Sequence, residues 1–318
     1  MIKELATANG SLRNGFGDAL VELGNLNSKV VVITADLKES TRATTFAERF
    51  PERFFDVGVA EQNMMGVAAG LAQEGFIPFC TSFAVFNPGR NWDQLRVSVC
   101  YDNANVKIIG AHAGLTAGGD GATHLGLEDL AITRVLPNLV VLAPADIHET
   151  RMATLAAAAY AGPVYIRFGR SDEPIIFKPG EQFSIGKAKV MREGRDIALY
   201  TTGSMLAPTL AAAAYLDSNK VKAAVIHFPT VKPLDKTTAI EYARQTKAVV
   251  TVEEHQVDGG FGSAISEVLS ENWPVPLKRM GVNNTFGETG SPVELRRKHK
   301  LQSSDIAAAA VKLLLKHR

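Results

Sequence analysis

Short runs of β-branched and other apolar residues alternate with longer stretches of helical periodicity along the whole chain. Residues 30–33, 76–80, 106–109, 139–142 and 164–166 read as buried strands. Between them, residues 60–73, residues 146–160 and a segment beginning near Leu12 carry Ala-rich or 3.6-residue apolar patterns, and Asp146 is placed to cap the helix that follows it. The rhythm predicts parallel sheets covered by helices. It stops near Phe168, where a stretch containing Pro174, Pro179 and Gly180 suits a connection better than an element interior. Beyond a boundary near residue 185 the alternation resumes. Strands are expected at residues 197–200, 223–226 and 249–252, with helices after Ser204 and Phe261 and a last one at residues 303–316. The expected architecture is α/β, with two successive doubly wound domains at residues 1–180 and 185–318. No short-period repeat or low-complexity tract is present.

Length and composition narrow the function classes. The 318 residues suffice for about two domains. Lys plus Arg total 34 and Asp plus Glu 33, a formal charge of +1 with no basic stripe, which argues against nucleic acid as a partner. The longest apolar stretch, residues 153–166, is broken by Gly162 and Pro163 and is too short for a span of about 20 residues. Met1 to Glu4 show no leader pattern, and Cys80 and Cys100 fit no disulfide or metal spacing, so a reducing, cytoplasmic compartment is expected.

The chain lacks a P-loop, a His-Glu-x-x-His pair, a Cys-x-x-Cys pair and a nucleophile elbow. Gly119-Asp120-Gly121 does not complete a dinucleotide-binding fingerprint. What remains is a set of polar residues just past the expected strand ends, where open α/β sheets bind ligands: residues 36–40, Glu61, residues 83–86 and residues 112–124. Glu61 opens an Ala/Gly/Met-rich segment that looks buried, so its carboxyl is expected to be desolvated, which favours the protonated form; the plain alternative is an exposed first-turn carboxylate. For Phe83 and Phe86, three apart, ordinary core packing is the favoured reading from the residues alone. Two His, an Asp and many small residues between His112 and His124 suggest a flexible loop that carries polar groups to a ligand.

These residues resemble the C-terminal half of transketolase, in the form encoded as a separate subunit. The resemblance rests on Asp56-Val57-Gly58 with Ala60-Glu61-Gln62-Asn63-Met64, on Pro78-Phe79-Cys80-Thr81-Ser82-Phe83, on Asp93-Gln94-Leu95-Arg96, and on Gly119-Asp120-Gly121-Ala122-Thr123-His124 followed by Leu127-Glu128-Asp129-Leu130-Ala131. It implies a pyrimidine-binding domain of a thiamine diphosphate enzyme followed by the family's C-terminal domain. The diphosphate-binding domain, with its Mg²⁺ ligands, would belong to a partner chain. In that family Glu61 matches the glutamate bonded to the pyrimidine ring nitrogen, and Phe83 and Phe86 match aromatics stacked on the ring. The third family aromatic is not evident: its place falls near Gly89, so either Trp92 substitutes through a local shift or the ring is packed differently. Asp36 matches an acid near the thiazolium. Arg13, Ser40 and Arg170 match groups that bind a sugar phosphate, while His112, Asp120 and His124 match residues of the channel to the thiazolium, with His124 helping to move protons. His255 receives no catalytic role.

The resemblance therefore implies a transketolase active only with an N-terminal subunit, in a heterotetramer that also self-associates, moving a two-carbon ketol unit between sugar phosphates in the pentose phosphate pathway. Rivals are a deoxyxylulose phosphate synthase, the beta subunit of a 2-oxo acid dehydrogenase, and a noncatalytic assembly subunit.

Overall fold

A computed structural model describes residues 8–317, so Met1 to Glu4 lie outside the described residues. A seven-stranded sheet runs in the order Thr230–Lys232, Val140–Leu142, Val164–Arg167, Lys107–Ala111, Ile77–Phe83, Val30–Thr34 and Phe54–Asp56. All neighbours are parallel except Thr230–Lys232, which reaches across from the second half of the chain to pair antiparallel with Val140–Leu142. Val30–Thr34 is buried at all five positions, which explains its unbroken apolar run: both sheet faces are covered.

Period-two alternation sorts each strand between those faces. Val30, Val32 and Phe79 pack with Phe16 and Leu20 of helix Leu12–Leu26 and with Ala153 and Ala157 of helix Ile147–Ala159. Ile33, Cys80 and Ile108 face the other way, onto Met64, Met65 and Ala68 of helix Glu61–Gln73. The two helices on the first face cross so closely that a Cβ on Gly15 would sit 2.1 Å from the Ile147 carbonyl oxygen. Asp146 caps its helix as expected, accepting from the Glu149 N–H at 2.8 Å. Its other oxygen accepts from the N–H groups of Ile176 and Phe177, both at 2.7 Å, and so ties the Pro-containing connection to the first sheet.

The second sheet has the order Leu277–Val282, Val249–Gln256, Ile197–Thr201, Ala223–His227 and Lys189–Arg192, with only the last strand antiparallel. Helices Leu206–Ser218 and Ser303–Lys316 cover one face. Helix Phe261–Asn272 and helix Lys236–Gln245 cover the other, in an apolar cluster continuous with Tyr165 of the first sheet and Leu130 of helix Asp129–Arg134.

The strands and helices read from periodicity are all present, with ends displaced by a few residues. Four strands of the two large sheets escaped it. Phe54–Asp56 and Thr230–Lys232 have three residues each, Lys189–Arg192 is an edge strand interleaved with cations, and the mixed pattern of Leu277–Val282 hides an edge strand. A two-stranded antiparallel pair, Asn9–Ser11 with Asp172–Pro174, was equally invisible because its partners lie far apart in the chain.

Candidate functional site

Parallel strands deliver their C-terminal ends to one edge of a sheet. Asp36 and Ser40 follow Val30–Thr34, Phe83 ends Ile77–Phe83, His112 follows Lys107–Ala111, and Arg170 follows Val164–Arg167. Two residues at these exits, Asp36 (φ 61°) and His112 (φ 57°), adopt the left-handed conformation, uncommon for residues with a side chain and a mark of a backbone held by its surroundings. Asp36 is exposed, and its N–H is bound by Asp56 Oδ1 at 3.0 Å.

Glu61 is the first residue of its helix, yet it is only 1% exposed, which settles it as buried rather than as a solvated first-turn carboxylate. Arg90 Nη1 donates to its Oε2 at 2.7 Å, a partner that the sequence reading missed. The same guanidinium lies 4.5 Å from the Phe86 ring centroid. Asn91 donates to the Glu61 carbonyl at 3.1 Å and to Asn87 Oδ1 at 3.0 Å, while Asn87 donates to the carbonyls of Cys80 and Ile109. This asparagine ladder fixes the turn carrying Arg90 against the sheet. At Gly89, near which the place of the third family aromatic falls, a Cβ would lie 2.1 Å from the Val85 carbonyl oxygen. Trp92 does not take over that place: its indole donates to the Ile132 carbonyl at 2.7 Å and its ring packs against the core.

Phe83 is buried and Phe86 partly so; their rings stack with centroids 6.1 Å apart. Phe83 also stacks on the His112 imidazole at 3.8 Å, and the His124 ring meets Phe86 edge-on at 5.4 Å. His112 is buried, its Nδ1 has no partner among the described residues, and its pKa is pushed down to about 3, first by burial and then by Arg13, Arg170, His124 and Arg42. Arg13 donates to the Ser40 carbonyl at 3.2 Å. Burial, then the charges of Arg42 and Arg170, lower its pKa from the ordinary value. Arg42, a further residue the sequence reading missed, donates from Nε to Asn14 Oδ1 at 3.1 Å. Its only sequence signal is its place two residues after Ser40. Arg170 pairs with Asp120 at 2.9 Å, both partners a third or more exposed. The structure thus brings Arg13, Ser40, His112, Asp120, His124 and Arg170 to one sheet edge, beside Glu61, Phe83 and Phe86.

The segment between His112 and His124 differs from the expected flexible loop. It forms a tight helical turn over Gly114–Asp120, and Leu115 and Ala117 are buried in the core of the second sheet. Leu115 N–H donates to Glu254 Oε2, and a Cβ on Gly118 would meet the Gly290 carbonyl at 2.9 Å, so the second half of the chain clamps this turn. His255 lies behind it. It is buried, its pKa lowered chiefly by burial, with Nδ1 bonded to the Gln256 carbonyl at 2.7 Å and Nε2 accepting from the Ala131 N–H at 3.3 Å.

Residues 9–174 match the transketolase pyrimidine-binding domain and residues 186–306 the transketolase C-terminal domain. The chain belongs to the transketolase family. It is 42% identical over 299 residues to a 6-deoxy-6-sulfo-D-fructose transketolase subunit, SqwH, of Clostridium sp. strain MSTE9, covering 94% of this chain and 93% of that protein. A solved structure described as a split-gene transketolase in an inactive beta4 tetramer is 48% identical, with a TM-score of 0.91 over 97% of this chain and all of that one. A 1-deoxy-D-xylulose-5-phosphate synthase of Thermomicrobium roseum is 38% identical over 307 residues; this chain spans 48% of its length. Transketolase-family domains of this kind imply dependence on thiamine diphosphate in general. Among the described residues no helix is long and apolar enough to cross a membrane.

Proposed function

We propose that this chain is the C-terminal subunit of a two-subunit thiamine diphosphate-dependent transketolase. The observation that carries the reading is the juxtaposition at one sheet edge of a buried carboxylate, Glu61, the stacked rings of Phe83 and Phe86, and the cationic pocket of Arg13 and Arg170 around a neutral His112. A planar ring with a polar edge fits the first two groups, and a sugar ending in an anion fits the third.

The fit to the pyrimidine ring is chemical as well as steric. Glu61 offers a desolvated oxygen acceptor at the entrance of a helix, and Phe83 and Phe86 offer apolar faces for offset stacking. Asn91 Oδ1, buried and without a partner among the described residues, is a further acceptor beside Glu61. When bound, the cofactor supplies the electron sink for cleaving and remaking a carbon–carbon bond. Glu61 would hold a proton at the ring nitrogen, and Phe83 and Phe86 would fix the ring plane. Asp36 would stand near the thiazolium, with the Mg²⁺ ligands on the N-terminal subunit.

On the substrate side, Arg13, Ser40 and Arg170 would bind the terminal phosphate, since a guanidinium fork matches such oxyanions. Asp120 would read a sugar hydroxyl. His112, held neutral by its surroundings, would offer a ring nitrogen as a hydrogen-bond partner, and His124 would move protons to and from substrate oxygens. The exposed pair of Arg170 and Asp120 is worth little in itself, so exchanging it for substrate contacts costs little. Arg42 adds a further cation to this pocket, and the sulfo-sugar name of the clostridial relative supports a second reading in which the anion is a sulfonate.

Val59, Val67, Val97 and Tyr101, all exposed, lie on and around helix Glu61–Gln73, whose Gly66 and Gly70 would accept a Cβ without contact. This surface suits partner chains and self-association, and the heterotetramer is proposed on that basis. Domain limits of 1–180 and 185–318, and a cytoplasmic setting, belong to the same reading.

The test is ketol transfer from xylulose 5-phosphate to ribose 5-phosphate by tagged chain purified with its co-purifying partner, supplied with thiamine diphosphate and Mg²⁺. Activity that needs the second polypeptide and collapses in Glu61→Ala is the expected result. A stable complex inert toward sugar phosphates but active on a sulfo-sugar selects the second reading, and one inert toward both overturns the ketol-transfer assignment.

A further inference from the structure

The Arg90 guanidinium already makes both contacts that the ring needs. Nη1 donates to Glu61 Oε2 at 2.7 Å, and Cζ lies 4.5 Å from the Phe86 ring centroid. A guanidinium is planar, presents several N–H donors in that plane and stacks on aromatic faces, so it answers the same carboxylate and the same ring as an aminopyrimidine would. Glu61 is 1% exposed, and a carboxylate so far from water needs a partner. Arg90 is that partner, with its side chain 47% exposed and no other side-chain hydrogen bond among the described residues. The turn that carries it is anchored by Asn87 and Asn91, so only the side chain has to move to clear the pocket.

Resting on the cofactor reading above, we propose that Arg90 is an internal competitor for the pyrimidine site. It keeps Glu61 paired and the Phe86 face covered before loading, and the cofactor binds by displacing it. The arginine thereby lowers cofactor affinity and prevents a buried, unpaired carboxylate in the unloaded chain.

The test is calorimetric titration of thiamine diphosphate, with Mg²⁺ present, into the complex of this chain with its co-purifying partner, for wild type, Arg90→Met and Arg90→Lys. Methionine keeps the length of the side chain but cannot pair with Glu61, so R90M is expected to bind about tenfold tighter than wild type. Lysine keeps the charge without the planar fork, and R90K is expected to fall between them. If R90M does not assemble, R90K and a structure of the loaded complex decide: the expected structure has Arg90 off Glu61. Weaker or unchanged binding in the variants, or a loaded complex that retains the pair, overturns the proposal while leaving the cofactor reading in place. A folded complex that takes up no thiamine diphosphate in any form overturns both.

Discussion

The Phe83 ring and the His112 imidazole stack with centroids 3.8 Å apart, joining the aromatic wall of the site to its cationic pocket. Because His112 is buried among Arg13, Arg170, His124 and Arg42, its folded pKa is about 3 against an ordinary 6.5. The unfolded chain therefore takes up this proton first as pH falls. Stability from the neutral ring is whole above about 6.5 and is lost progressively below it, by roughly 2 kcal/mol at pH 5. Thermal unfolding followed from pH 7 to pH 5 should show this loss, and His112→Asn should flatten that part of the profile. An unchanged slope in the variant would assign the acid sensitivity elsewhere.

Arg170 and Asp120 form an exposed pair at 2.9 Å, whose coupling in a double-mutant cycle on stability should be below about 1 kcal/mol. Loss of Arg170 should instead appear in substrate binding. Arg170→Met is expected to raise KM for a phosphorylated donor by about 10- to 100-fold, as befits the loss of a charge-assisted contact, with little change for an unphosphorylated one. Steady-state kinetics with both donors on the assembled enzyme make the comparison.

Arg296 bonds Glu173, with Nη2 to Oε1 at 2.6 Å, and also Glu254, linking helix Pro292–Lys298 to the small antiparallel pair and to the second sheet. Both carboxylates are almost wholly buried. Arg296→Met leaves the buried Glu254 without its cation and lets Glu173, whose pKa burial already raises to about 7, take up a proton; the fold should be destabilised by about 3–5 kcal/mol. Urea unfolding at neutral pH measures this; a loss below about 1 kcal/mol would show that the cluster relaxes to water instead.

Gly15 sits at a helix crossing where a Cβ would lie 2.1 Å from the Ile147 carbonyl oxygen. Because that neighbour is backbone, it cannot turn aside. Gly15→Ala should cost about 1–3 kcal/mol or more through overpacking. The substitution lies two residues from Arg13, so weaker binding of a phosphorylated substrate should accompany the lower unfolding midpoint. A variant as stable as wild type would mean that the helices separate freely.

The alternation of apolar strands with amphipathic helices is a local property, and it was enough to determine the α/β class, most core elements and the Asp146 cap. The burial of Glu61 and of Phe83 was legible for a related reason: each sits in or beside an apolar run of the chain. Non-local pairing was not legible. Nothing near residue 230 announces that Thr230–Lys232 joins the sheet of the other half, and nothing near residue 115 announces that Leu115 and Ala117 serve the second core rather than a flexible loop. The pairing of Arg90 with Glu61, 29 positions apart, belongs to the same class. Burial of a carboxylate could be read from the apolar residues around it in the chain, but the cation that meets it is chosen by how strands and turns pack in space, and only the tertiary structure decided that.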